Sequence, residues 1–225
     1  MLCLIGRIAA GVVCLSALLA NQKMTHADIF TFSDRASWEA AVSGITTIDF
    51  NTVTTDFAID PDAGGGPFDA GPFVITETGT QANGTRIDAL PFLSSNLDID
   101  GTSYLYSSLQ GGADPFTRET RLTYDNPISA WGTDVKARFG GEQVRYDFVG
   151  AGQVSDPVDT TVTFFGMVST VGFSEIRITS SFASEFGFDN ISSGQFSSVP
   201  EPSGLSMLGL AIALGGIRRR SRNQV

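Results

Sequence analysis

The sequence predicts an all-β fold, an antiparallel β-sandwich with one short helix near its start. Three observations predict it. Short stretches of alternating apolar and polar residues recur along the chain, as at 143–149, where Val144, Tyr146 and Phe148 keep strict period two. Clusters of Gly, Pro, Asn, Asp and Ser part these stretches at short intervals. Outside the two chain ends, only one segment, from Asp34, has the spacing of a helix.

The elements follow in order. Residues 28–32 read as a first strand. Ser33 is placed to N-cap a helix over 34–42, with Asp34 favourable in its first turn. Trp38, Ala41 and Val42 fall at i, i+3 and i+4, one apolar stripe to pack on the sheet, and Ser43-Gly44 ends the helix. Residues 45–50 then alternate as a strand. A long stretch through Asp56, Asp60, Asp62, Gly64-Gly65-Gly66 and Pro67 reads as loop, because its glycines and prolines oppose both helix and central strand. Strand character resumes at 73–78 and, past turn-like residues 79–84, at 103–109, where Tyr104 and Tyr106 share a face. Segments 120–124, 130–139 and 143–149 continue it, and Gly140-Gly141 reads as a hairpin turn between the last two. Residues 160–167 and 175–180 alternate again, and 186–191 closes the set. Roughly nine or ten strands at such spacing make a sandwich.

The chain ends carry different signals. Arg7 precedes an apolar run over 8–20, and Thr25-His26-Ala27 supplies the small residues that a signal peptidase reads, so 1–27 is expected to be a cleaved signal helix. Gly11-Val12-Val13 ahead of Cys14 lacks the pattern of a lipoprotein signal. The body is 28–196, and a Ser-, Gly- and Pro-rich stretch from Gly194 to Ser203 leads into the tail, 197–225. There Val199-Pro200-Glu201-Pro202 precedes an uncharged run over 204–217 and then Arg218-Arg219-Arg220. As a helix this run reaches only ~21 Å against a ~30 Å hydrocarbon core. With arginines able to snorkel at its end, it suits a single transmembrane helix that halts export for a time rather than a lasting anchor.

Composition excludes much chemistry. Cys3, Cys14 and His26 all lie in the signal segment, so the body has no cysteine and no histidine. No disulfide can staple it, and roughly 170 residues must hold together by one core. Ser-His-Asp and Cys-His triads are out of reach, as are His or Cys zinc sites. The glycines at 64–66 lead into Pro67, not into a phosphate-cradling helix. The whole chain has formal net charge −10, and the body alone carries 23 acidic against 8 basic residues, about −15. So acidic a surface repels nucleic acid and anionic lipid, and suits divalent cations or simple solubility.

The order Pro-Glu-Pro, short apolar helix and Arg cluster resembles the PEP-CTERM sorting signal of Gram-negative bacteria. The phrases FSDRASWEAAVSGITTIDF, FFGMVSTVGFSEIRIT and EFGFDNI resemble exported proteins of that group whose body is a jelly-roll, lectin-like domain. The resemblance implies processing by signal peptidase and an exosortase, passing residence in the inner membrane, and a final place in the envelope, at the surface or outside the cell, near exopolysaccharide or in biofilm. It implies a sorting role for Val199, Pro200, Glu201, Pro202, Arg218, Arg219 and Arg220.

The expectation is therefore an exported, non-enzymatic structural or exopolysaccharide-associated protein. A carbohydrate-binding module is the alternative, with Tyr104, Tyr106, Trp131 and Tyr146 as rings for a sugar to stack on. A carboxylate glycosidase is the third reading, which would draw two acids from Glu77, Glu119, Glu142, Glu175 and Glu185 at ~5–9.5 Å. Calcium is the one cofactor the acidic balance suggests. Its oxygens would come from Asp98 and Asp100, two apart before Gly101, and from Asp189 and Asn190, with Asp56, Asp60 and Asp62 a looser cluster. The same Asp-x-Asp-Gly pattern also makes a turn capped by its own side chains.

Overall fold

The computed structural model describes residues 27–78, 84–89, 97–109, 118–180 and 183–197, which form an antiparallel, sandwich-like β protein. In chain order its elements are β1 (Ile29–Phe32), α1 (Arg35–Ala40), β2 (Val42–Ile48), β3 (Phe57–Ala58), β4 (Phe68–Asp69), β5 (Phe73–Thr78), β6 (Arg86–Asp88), β7 (Tyr104–Leu109), β8 (Glu119–Ala137), β9 (Glu142–Phe148), β10 (Gly152–Val158), β11 (Thr163–Ser180) and β12 (Ser184–Phe196). Both sorting segments, including Val199 to Pro202 and Arg218 to Arg220, lie outside the described residues. Among the described residues no helix is long and apolar enough to cross a membrane.

Two long strands build both layers. The sequence divides β8 and β11 into two strands each, but the structure runs them continuously for 19 and 18 residues. The first half of β8 pairs with the second half of β11, from Thr120 opposite Ile178 to Thr123 opposite Glu175. The register then slips, and the other halves pair from Ala130 opposite Val168 to Val135 opposite Thr163. Pro127 has no N–H for a ladder, and with Asp125 and Asn126 it stays exposed where the pair bends. One layer thus runs β10-β9-β11-β8-β5-β4, and the other runs β1-β11-β8-β12, extended by β2 and by β7-β6-β3.

The turn chemistry differs from the expectation at one place. Gly140-Gly141 does not close a hairpin, since β9 pairs with β10 and β11 and not with β8. It carries the chain between layers instead, with Gly141 at φ 77°. The hairpin is β9–β10, which turns through Val149, Gly150 and Ala151, with Gly150 at φ 91°. β10 itself escapes the sequence pattern because Ser155, Asp156 and Pro157 are poor strand formers. It survives at the sheet edge, where a proline does no harm to the ladder.

The core lies between the layers. Trp131 of β8 sits 5.3 Å from Tyr146 and 6.0 Å from Phe148 of β9, ring centre to ring centre. Tyr146 stacks on Phe165 at 4.4 Å, and Phe148 meets Phe173 edge-on at 5.1 Å. Each such pair adds about 0.5–1.5 kcal/mol beyond the area it buries. With no disulfide available, this aromatic centre carries much of the stability.

The helix covers the outer face of the second layer. It spans Arg35–Ala40 and not 34–42, because Val42 already pairs with Phe196 as strand. Its N-cap is Asp34 rather than Ser33, and the Asp34 carboxylate accepts the Ser37 N–H at 2.8 Å. Trp38 is fully buried, donates through Nε1 to the Met167 carbonyl at 3.0 Å, and lies 5.9 Å from the Phe164 ring. A Cβ at Gly166 would come within 2.6 Å of Trp38, so the indole seats only over a glycine.

Two further stretches are more ordered than their composition suggests. Within 51–72 the chain forms β3, a 3-10 turn at Pro61–Ala63 and β4. At the other end β12 continues to Phe196: Gly194 pairs with Ala130 of β8, and Gln195 and Phe196 pair with β2, so these residues are not linker.

Candidate functional site

The four rings expected to receive sugar are not exposed. Trp131 and Tyr146 are interlayer core, and both have zero exposure. Tyr104 and Tyr106 do share the outer face of the second layer, where their neighbours cover them. Leu97 joins them in one buried cluster, the Arg86 guanidinium lies 3.8 Å over the Tyr106 ring, and the Tyr104 hydroxyl donates to Asp88 at 3.1 Å. The platform reading of these four is corrected: period two assigned the faces of β7 and β9 well, but not what lay upon them.

Most candidate acids are held by the protein itself. Glu119 pairs with Arg121 at 2.8 Å, Glu175 with Arg177 at 2.6 Å, and Glu185 with Arg138 at 2.6 Å. Glu142 opens β9 opposite Val158. Glu77 is buried and its carboxylate accepts the Thr85 N–H. Burial pushes its pKa up, against the pull of that hydrogen bond. Asp60 accepts the N–H groups of Asp62 at 2.8 Å and Gly84 at 3.1 Å, and Asp56 accepts that of Ala89 at 2.9 Å. Asp56 and Asp60 thus pin loop backbone.

The calcium candidates are drawn together in part. Asp98 and Asp100 shape a turn: the Asp98 carboxylate accepts from the Gly101 N–H, and Asp100 accepts from the N–H of Thr102 at 3.1 Å. Lys136 of β8 donates to the Asp98 carbonyl at 2.9 Å and fastens this turn to the sheet. Asp100 there comes near enough to Asp189 for its charge to be felt. So do Asp49, past the end of β2, and Asp134, which is opposite Asp189 in the β8–β12 ladder.

Asp189 itself is fully buried. Its Oδ1 accepts the Asn190 N–H at 2.7 Å, while Oδ2 has no hydrogen-bond partner. Burial, then the repulsion of Asp100, Asp49 and Asp134, pushes its pKa up to about 8. Asn190 has φ 50° and donates to Asp134 at 3.0 Å. Arg35 of α1 binds Asp134 at 3.1 Å and the Asn190 carbonyl at 3.2 Å, so its charge is spent on Asp134. Among the described residues no three acidic, histidine or cysteine side chains are gathered closely enough to cage a metal alone. Asp49 and Asp134 were not singled out in the sequence, and only strand register could have found them.

A second feature lies at the bend of β8. Tyr124, Asp125 and Asn126 meet Thr46 of β2 and Ser193 and Gln195 of β12 around an open groove of about 200 Å³. Gln195 is fixed there, donating to the Pro127 carbonyl and accepting from the Ser129 hydroxyl, each at 3.0 Å. The Tyr124 hydroxyl is buried close to Trp131 and Ser193 but forms no hydrogen bond of ordinary geometry with either. Burial keeps this phenol protonated, so it can both donate and accept. The groove escaped the sequence reading because its walls come from strands that meet only through the bend.

No protein-family model matches the sequence, and neither does any curated protein. Among solved structures, the chain is similar to a family 29 carbohydrate-binding module at 11% identity, covering 70% of this chain and 98% of that one, with TM-score 0.38. It is also similar to an endo-1,4-β-D-xylanase of Clostridium thermocellum with CBM22-1 and GH10 modules, complexed with xylohexaose, at 14% identity and TM-score 0.33. That match covers 53% of this chain and 26% of the other, so the chain spans about a quarter of the xylanase structure. A family two carbohydrate esterase from Cellvibrio japonicus is similar at 9% identity and TM-score 0.28, covering 78% of this chain and 36% of that one. At such scores these likenesses decide neither ligand nor activity.

Proposed function

We propose that the protein is an exported, non-enzymatic module that associates with polysaccharide through the groove at the β8 bend. The observation that carries this reading is the groove's lining. Thr46, Asn126, Ser193 and Gln195 offer neutral donors and acceptors beside one carboxylate, Asp125, with Tyr124 buried beneath them. Sugar hydroxyls both donate and accept, and a few placed polar groups suit them. Glu119, Glu175 and Glu185, by contrast, are engaged in ion pairs, which disfavours a glycosidase that needs two acids facing one bond. The sandwich-like sheet supports the jelly-roll, lectin-like reading of the body.

Export and sorting belong to the same proposal. Residues 1–27 direct export, and the tail from Val199 to Arg220 halts in the inner membrane until an exosortase processes it. The protein then joins the envelope or the matrix outside. Two measurements test this. Binding of the full chain to an array of bacterial and plant polysaccharides should fall at least tenfold with Asn126→Ala or Asp125→Ala. An empty array, or binding that ignores both substitutions, would leave a matrix protein without a glycan site. Mass spectrometry of material from the native host should find a C-terminus short of the Arg cluster. An intact Val225 would exclude exosortase processing.

A further inference from the structure

We propose that Asp189 is the inner carboxylate of a calcium site that joins the Asp98–Gly101 turn to β12, with Asp100 as its second carboxylate. The site lies apart from the groove and does not depend on it. Two independent features carry it. Strand register and one anchor bring carboxylates from distant parts of the chain to Asp189: Asp134 is opposite it in the β8–β12 ladder, Asp49 follows Ile48, which is opposite Ile191, and the turn bearing Asp100 is fastened to Lys136, opposite Gly187. Within them one oxygen, Asp189 Oδ2, is fully buried and has no protein partner. A buried carboxylate oxygen left unmatched is costly, and so is like charge brought together, and one divalent cation relieves both.

The neighbours favour a cation over a protein partner. Arg35, the guanidinium beside the cluster among the described residues, is bound to Asp134 and to the Asn190 carbonyl. Lys136 is bound to the Asp98 carbonyl. Neither meets Oδ2. Thr133 directs its hydroxyl to the carbonyls of Asp134 and Asp189, not to the carboxylate. Since among the described residues no three acidic side chains converge at one point, the ion takes Asp189 and Asp100 directly, with carbonyl, amide and water oxygens filling its shell. Calcium accepts such a mixed and irregular set of six to eight oxygens, whereas magnesium demands a near-ideal octahedron. Asp49 and Asp134 act on it as outer charges.

The test is calorimetric titration of the full chain with calcium chloride at pH 7.5, with melting curves in calcium and in chelator. The proposal expects about one ion per chain and a melting temperature several degrees higher in millimolar calcium. Asp189→Asn should abolish both the heat and the rise. It should also melt no lower than the parent in chelator, because the amide keeps the shape of the carboxyl and has no charge to bury. A merely structural aspartate would behave oppositely, losing stability in chelator as well. Asp100→Ala, on an exposed turn, should weaken binding at least tenfold, and it decides the matter if Asp189→Asn does not fold. No heat and no rise with the parent chain, or binding unchanged in Asp189→Asn or Asp100→Ala, overturns the proposal.

Discussion

Glu77 and Asp189 are both buried carboxylates whose pKa burial raises, yet the chain surrounds them differently. Around Glu77 the backbone has been folded to fit. Thr85 donates to it, and Gly84 comes so close that a Cβ there would strike the carboxylate. Asp60 nearby takes the Gly84 N–H, so the two acids share the task of holding the chain around 84–85 against the sheet. Around Asp189 the neighbours are three more acids and one unmatched oxygen. Equal burial therefore does not mean equal purpose: the first carboxylate is consumed by the fold, and the second has capacity left over.

That contrast can be broken by substitution. The largest effect is expected from Glu77→Ala, which strands the buried Thr85 N–H and should lower stability by about 1–3 kcal/mol in calcium and chelator alike. Denaturant melts would show it, and a loss confined to chelator would erase the distinction. Next comes Asp189→Asn in chelator, expected to be neutral or to gain on the order of 1 kcal/mol, since an amide can donate to the surrounding carboxylates. The smallest effect belongs to Asp98→Ala. Its carboxylate is folded back on Gly101, and its loss should change stability by about 0.5 kcal/mol or less and leave calcium affinity as it was.

Acidity sharpens the same comparison. In the fold and without a cation, Asp189 keeps its proton up to about pH 8, whereas an unfolded aspartate loses it near ~3.9. Between those values the folded state binds more protons, so its stability falls as pH rises through that window. The groups that face Asp189 are Asp49, Asp100 and Asp134, with Arg35 engaged on Asp134. Calcium should flatten the slope, and Asp189→Asn should remove its Asp189 part even in chelator. Glu77, also raised, contributes a slope of the same sign that calcium should not touch.

Alternation made β5 legible to the residue, because Phe73, Ile75 and Glu77 point inward against turn signals on both sides. It misread β8 and β11 for the same reason that it worked elsewhere. Pro127 and Gly172 punctuate a pattern, and a bent strand crossing between layers is punctuated without ending. Aromatic residues on alternating positions announced a core correctly, yet gave no sign that Leu97 and Arg86 would cover Tyr104 and Tyr106. The acidic residues were legible as types and not as neighbours. Asp100 and Asp189 are 89 positions apart, and what brings them close is the Lys136 anchor and the β8–β12 register, neither written in local pattern.

The most direct test of this account is to follow the side-chain carboxyl of Asp189 by carbon NMR across pH 3 to 9, with and without calcium. In chelator the account predicts a midpoint near the value of about 8 that its surroundings impose, and in calcium the carboxyl should stay ionised throughout the neutral range. A midpoint in chelator close to that of an ordinary aspartate, or one that calcium does not move, would contradict it.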